Sequence, residues 1–174
     1  LGFLEKNKDA LHPDVKAVSF VGSTRVAEVV YRRGTALGKR MLCLGGAKNH
    51  AVIMPDADLD MATDALVGAA FGSAGERCMA VSVAVAVGDK VGDALIGALK
   101  PKIEQIKVGP GTDADSEMGP LVTRAHEQKV RGYVDLGVEE GAELVLDGRN
   151  LSLQGYDDGY FIGPCLFDRV TPDM

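Results

Sequence analysis

The sequence predicts an α/β fold, and three observations carry that reading. Segments with apolar residues at helical spacing alternate with short runs rich in β-branched residues along the whole chain. The first such run passes through Gly22-Ser23-Thr24 directly into a helical pattern, the form of a crossover in a parallel sheet. The 174 residues, 46% of them hydrophobic, are enough for a full core and no more than one or two domains.

The elements follow in order. Residues 3–12 are polar and helical in character, closed by His12-Pro13. The apolar run 15–21 predicts a buried strand, and 25–33 a helix with Ser23 or Thr24 as N-cap and Gly34 closing it. Residues 41–44 and 51–54 predict two short strands on either side of Gly45-Gly46-Ala47-Lys48-Asn49-His50. Pro55-Asp56-Ala57-Asp58 supplies a turn and an N-cap for a helix over 59–71, whose Leu59, Ala62, Leu66, Ala69 and Ala70 recur at helical spacing. The run 80–87 is β-branched at alternate positions and predicts a strand. A helix is expected over 89–106, interrupted at Pro101, then a Gly/Pro-rich acidic loop over 108–120 whose carboxylates form a solvated surface. Residues 124–140 predict a helix ended by Gly141, and 142–146 and 160–170 predict strands. No internal repeat or low-complexity linker is present, and the shift in composition at Gly45-Gly46 is the one candidate domain boundary.

Charge and cysteine usage narrow the function classes. With 25 acidic against 19 basic side chains the net charge is −6, which disfavours a nucleic-acid partner. The three cysteines, Cys43, Cys78 and Cys165, are widely spaced, so neither a disulfide framework nor a metal site is expected and a reducing, cytoplasmic setting fits. No apolar run approaches the roughly 20 residues of a membrane helix, and the first residues do not form a signal peptide. The chain opens without an initiator Met and stops just after a strand, so a piece of a longer protein is expected.

The stretch with the most chemistry in it is Phe71-Gly72-Ser73-Ala74-Gly75-Glu76-Arg77-Cys78-Met79-Ala80. It places Cys78 between a helical and a strand pattern, among glycines that permit close approach to the backbone, with Arg77 beside it to favour a thiolate. Two readings stand: Cys78 is a nucleophile, or it is a small apolar group filling a gap at the start of a strand. The N-terminus of the helix after Ser23 suits a phosphate, although it is neither a GxGxxG fingerprint nor a Walker loop, and most such turns bind nothing. His12, His50 and His126 have no partner at metal-ligand spacing and read as structural or solvated. Asp56, Asp58 and Asp60 read as capping residues, and Cys165, after Gly163-Pro164, as packing.

Six motifs together resemble the aldehyde dehydrogenase superfamily: Phe20-Val21-Gly22-Ser23-Thr24, Leu44-Gly45-Gly46-Ala47-Lys48-Asn49, Met54-Pro55-Asp56-Ala57-Asp58-Leu59-Asp60, Gly75-Glu76-Arg77-Cys78, Met118-Gly119-Pro120-Leu121 and Phe161-Ile162-Gly163-Pro164. Each is weak alone, but in this order they are specific and cover nearly the whole chain. Residues 20–40, Gly46-Ala47-Lys48-Asn49-His50 and the segment 74–80 resemble more narrowly the methylmalonate-semialdehyde dehydrogenase branch, which is NAD-dependent and acylates coenzyme A.

The resemblance implies that Cys78 attacks an aldehyde carbon and that hydride passes to NAD, leaving a thioester on sulfur, with the Cys78 backbone N–H as oxyanion donor. It matches Ser23 to a position that approaches the cofactor pyrophosphate and Gly45 to one beside the nicotinamide, counts Gly22 and Leu44 with them as cofactor-binding, and puts Arg77 at the substrate carboxylate. For Arg77 a structural role, tied to loop carbonyls, is an equal alternative. Ala27 departs from the family's G-S-T-x-x-G turn, as the acylating branch does. Hydrolytic members carry a Glu where this chain has Leu44. Water needs such a base, whereas a thiol of pKa about 8.5 needs less help, so coenzyme A is the expected acyl acceptor.

On the same resemblance, residues 1–44 end an NAD-binding domain and 45–174 form most, but not all, of a catalytic domain. The expected parent is a homo-oligomer, dimeric or tetrameric, acting on methylmalonate or malonate semialdehyde in the cytoplasm, or in the mitochondrial matrix of a eukaryote. No membrane or nucleic-acid partner is expected, and the 174 residues alone are expected to be inactive. Two alternatives remain at this point: a hydrolytic aldehyde dehydrogenase using another base, and a non-catalytic α/β module that assembles with its own copies through the edge of 160–170.

Overall fold

Gly22-Ser23-Thr24 acts as the sequence predicts, turning a strand into a helix. In the computed structural model, which describes residues 12–174, strand β1 spans Ala17–Val21, helix α1 Thr24–Ala36 and strand β2 Arg40–Leu44. The helix expected over 3–12 lies outside the described residues for 3–11. β1 and β2 pair in parallel, from Ala17↔Arg40 to Val21↔Leu44. Both alternate between exposed and half-buried residues, the period of a sheet with one covered face. α1 turns Ala27, Val30 and Gly34 inward on one face.

Gly34 does not close α1. It is buried inside the helix, where a Cβ would run into the Met41 side chain. The missing side chain lets helix and strand approach, and the left-handed Gly38, at φ 68°, ends the turn instead. Buried Lys39 gives its ammonium to the carbonyls of His12 and Val15, which satisfies a charge set among backbone groups.

The described residues through Ala47 make one compact unit and Lys48–Met174 a second. The second opens with β3 (Asn49–Ile53), α2 (Leu59–Phe71) and β4 (Val81–Ala86), with β3 and β4 parallel. Asp58 caps α2 by accepting from the Met61 N–H at 3.1 Å. Helix α3 (Asp89–Glu104) follows, then the loop 108–120, helix α4 (Arg124–Glu139), and strands β5 (Glu143–Leu146) and β6 (Leu166–Asp168), which pair antiparallel. Ile53, Leu66, Leu95, Leu99 and Ile103 form the core that locks β3, α2 and α3 together. Lys102 adds a clasp from α3 to α2, donating to Thr63 Oγ1 at 2.8 Å and Asp64 Oδ1 at 2.7 Å.

Pro101 does not interrupt α3 as expected. It forfeits one N–H near the end of the helix, but Leu99 and Ile103 on either side are buried in the core, and packing outweighs the lost bond. The strand expected over 160–170 shrinks to Leu166–Asp168. Before it, Gly163 lies against Gly148 so closely that neither has room for a Cβ, and Pro164 has no N–H for a ladder. The acidic loop is exposed at 113–115 and 117, and Gly109 and Met118 close its neck at 3.0 Å. No helix among the described residues is long and apolar enough to cross a membrane.

Candidate active site

Cys78 occupies the corner of a turn whose approach is conformationally costly. After α2 the chain runs through Ser73 and Ala74, both at φ 52°, and Gly75 at φ 73°. Of these three left-handed residues only Gly75 escapes the Cβ penalty, and each of the others costs about 1–2 kcal/mol. Such backbone persists only where its surroundings impose it.

The imposing contacts come from around the turn. The Glu76 N–H bonds to Ser73 O at 2.9 Å and the Ala80 N–H to Arg77 O at 3.0 Å, with Cys78 and Met79 at the two corners of the second turn. Asn49, the first residue of β3, donates from Nδ2 to Cys78 O and to Ala80 O, both at 2.9 Å. The Arg77 guanidinium donates to Gly68 O at 2.5 Å, passing through the space a Cβ on Gly72 would fill. His126 on α4 meets Glu76 at 3.1 Å. Buried Ala80 anchors the exit into β4.

The thiol of Cys78 itself is exposed. Cys165 contrasts with it: half-buried, it accepts the Gly148 N–H at 3.3 Å, and burial pushes its thiol above the usual range. The packing role expected for Cys165 fits this setting, and Cys78 is the more accessible of the two.

The remaining candidates gather at the ends of β1 and β2 in the first unit. The Gly22 N–H bonds to Leu44 O at 3.1 Å, and Gly46 N–H to Thr24 Oγ1 at 2.9 Å. A Cβ on Gly22 would stand 2.7 Å from the Phe20 ring, and one on Gly45 2.8 Å from Thr24 Oγ1, so a side chain at either position would have to displace a neighbour. Ser23 is the N-cap of α1 in extended conformation, yet its exposed hydroxyl makes no capping bond. The first turn of α1 carries no acidic residue. An exposed hydroxyl, glycine backbone and a helix N-terminus without an acidic residue suit a phosphate. The structure thus brings Gly22, Ser23, Leu44 and Gly45 together in one unit and Arg77 and Cys78 in the other.

Sequence reasoning assigned Asn49 and His126 no part in the turn and marked Thr24 as a candidate N-cap and motif residue, not as a partner of Gly46. Nothing in the local sequence marks Asn49 as a donor to a segment 29 residues away. His126, read as solvated, is partly covered and paired. His50 matches its expected exposed setting, its Nδ1 lying 2.9 Å from Lys48 O. Among the described residues no three His, Cys, Asp or Glu side chains converge as a metal set.

Comparison with known proteins matches residues 8–174 to the model of the aldehyde dehydrogenase family. The chain is 62% identical over 162 residues to the malonate-semialdehyde dehydrogenase of Pseudomonas aeruginosa, covering 93% of this chain and 33% of that protein. Its fold superposes with a TM-score of 0.92 on the methylmalonate-semialdehyde dehydrogenase of Oceanimonas doudoroffii, at 54% identity, over 96% of this chain and 35% of the other. A Sinorhizobium meliloti protein described as a methylmalonate-semialdehyde dehydrogenase, crystallised with NAD, gives 0.91 at 59% identity, over 94% and 33%. The chain therefore spans about a third of the length of the relatives it matches.

Proposed function

This chain belongs to the aldehyde dehydrogenase family, and from that premise we propose that its full-length protein oxidises malonate or methylmalonate semialdehyde with NAD and transfers the acyl group to coenzyme A. The observation that carries the proposal is an exposed Cys78 held at the corner of an imposed turn, in a chain 62% identical to a malonate-semialdehyde dehydrogenase. We assign residues 1–44 to the end of the NAD-binding domain and 45–174 to the catalytic domain of a cytoplasmic homo-oligomer, a dimer or tetramer.

In this reading the Cys78 thiolate attacks the aldehyde carbon, and the Cys78 backbone N–H donates to the oxygen as it gains charge. NAD, when bound, accepts the hydride lost from that carbon. Gly22 and Ser23 at the start of α1 would hold its pyrophosphate, with Leu44 and Gly45 nearer the nicotinamide. Cys78 retains the acyl group as a thioester. The carboxylate beta to sulfur leaves as CO2, with a proton taken up at the carbon that carried it, and the coenzyme A thiolate then displaces the Cys78 thiolate, giving acetyl-CoA or propionyl-CoA and restoring the enzyme.

Leu44 supports acyl transfer to a thiol over hydrolysis, because it offers no base to activate water. Glu76, the carboxylate nearest to Cys78 in sequence, already faces His126 at 3.1 Å. Product analysis of the full-length enzyme tests the reading: acyl-CoA should form only with coenzyme A present, and Cys78→Ala should abolish NADH formation. Free acid released at an equal rate without coenzyme A would establish a hydrolytic enzyme instead.

A further inference from the structure

Asn49 directs both hydrogens of one side-chain nitrogen at the segment that carries Cys78. Nδ2 lies 2.9 Å from Cys78 O and 2.9 Å from Ala80 O. An amide nitrogen has two hydrogens, so these bonds fill its donor capacity and leave its orientation no freedom. Asn49 is half-buried and begins β3. The parallel register breaks there, since Asn49 pairs with Val81 but His50 with Val83. At the break the side chain takes over from the backbone ladder and extends the grip of β3 past Val81 into the turn.

We propose that Asn49 is a positioning residue for Cys78. Fixing the Cys78 carbonyl fixes the peptide plane that leaves the nucleophile, and fixing the Ala80 carbonyl fixes the plane that enters β4. Together with the bond from the Ala80 N–H to Arg77 O, whose carbonyl shares a peptide plane with the Cys78 N–H, the two Asn49 bonds hold Cys78 in one backbone setting, which aligns its N–H and its sulfur for attack. Asn49 acts through Cys78 and touches no reacting atom. Ser73 and Ala74 do not supply this alignment, because they are themselves held in a disfavoured conformation. The inference rests on the reading of Cys78 as the nucleophile.

The test compares full-length wild type, Asn49→Ala, Asn49→Asp and Cys78→Ala. Active sites are counted by iodoacetamide labelling of Cys78. Loss of alignment should lower kcat per labelled site about ten- to a hundredfold in both Asn49 variants, while KM for NAD stays within about twofold. Asp fills the same volume without donors and faces an anion toward two carbonyl oxygens, so it should be the worse of the two. If either variant does not fold, Asn49→Ser, which keeps one short donor, carries the comparison with an intermediate loss expected. A kcat per labelled site equal to wild type, with only the Tm lowered, would make Asn49 a structural residue and overturn the proposal. Turnover surviving in Cys78→Ala would instead remove the nucleophile reading, a result the Asn49 variants cannot produce.

Discussion

His126 Nε2 lies 3.1 Å from Glu76 Oε1, a pair that ties α4 to the turn bearing Cys78. The His side chain is 42% exposed and the Glu 22%, so solvent screens the contact and its worth is at most about 1 kcal/mol. His126→Leu should therefore speed amide exchange across residues 72–80 about fivefold. His126→Gln, which keeps a donor, should change it less. Exchange identical to wild type in the Leu variant would show that the pair does not hold the turn.

Arg77 bonds to Gly68 O through one terminal nitrogen and has further N–H groups for a carboxylate. If those bind substrate, Arg77→Leu should lower kcat/KM for malonate semialdehyde about ten- to a hundredfold in the full-length enzyme, and much less for propionaldehyde. Equal losses for both aldehydes would confine Arg77 to bracing the turn.

Two closely packed glycines should respond differently to alanine. At Gly34 the new methyl meets the flexible Met41 side chain, and a helix-propensity gain of about 1 kcal/mol offsets part of the repacking. At Gly148 it meets the backbone of Gly163, which cannot rotate aside. Gly148→Ala should be the more damaging by at least about 2 kcal/mol, read from urea midpoints. The reverse order would contradict the packing described.

Stability should fall in acid through Asp147. Side-chain bonds from Arg149, at 2.8 Å from its Nε, and the Arg149 backbone N–H hold the Asp147 carboxyl at about 2, below its ordinary 3.8. A depressed folded-state value means the contribution is present above the unfolded value of 3.8 and is lost as pH falls toward about 2. Asp147→Asn should flatten the dependence of stability on pH across that window. Unfolding curves that remain parallel to wild type would show that the pairing contributes nothing.

The sequence made the elements legible where periodicity and turn chemistry agree. Helix Leu59–Phe71 matches its expected limits because Asp58 caps it and Gly72 ends it. Expectation failed where a breaker met strong packing, at Gly34 and Pro101, and where a glycine contact replaced a ladder, at Gly163. In the site, the unusual turn was visible in its glycines and in Cys78. Its restraints were not: Asn49 and His126 reach Cys78 and Glu76 only once distant segments have folded together, and a local window contains no trace of such pairs.

The grip of Asn49 on Cys78 therefore has a history in time. The two residues stand 29 apart in sequence, joined through a parallel strand pair that forms only after its loop has closed. During refolding the cysteine exists long before its setting does. A nascent or unfolded chain carries the cysteine without that setting, which forms only when β3 lies beside β4. On the proposed reading of Cys78, reactivity toward aldehydes therefore waits for β3 and β4 to pair.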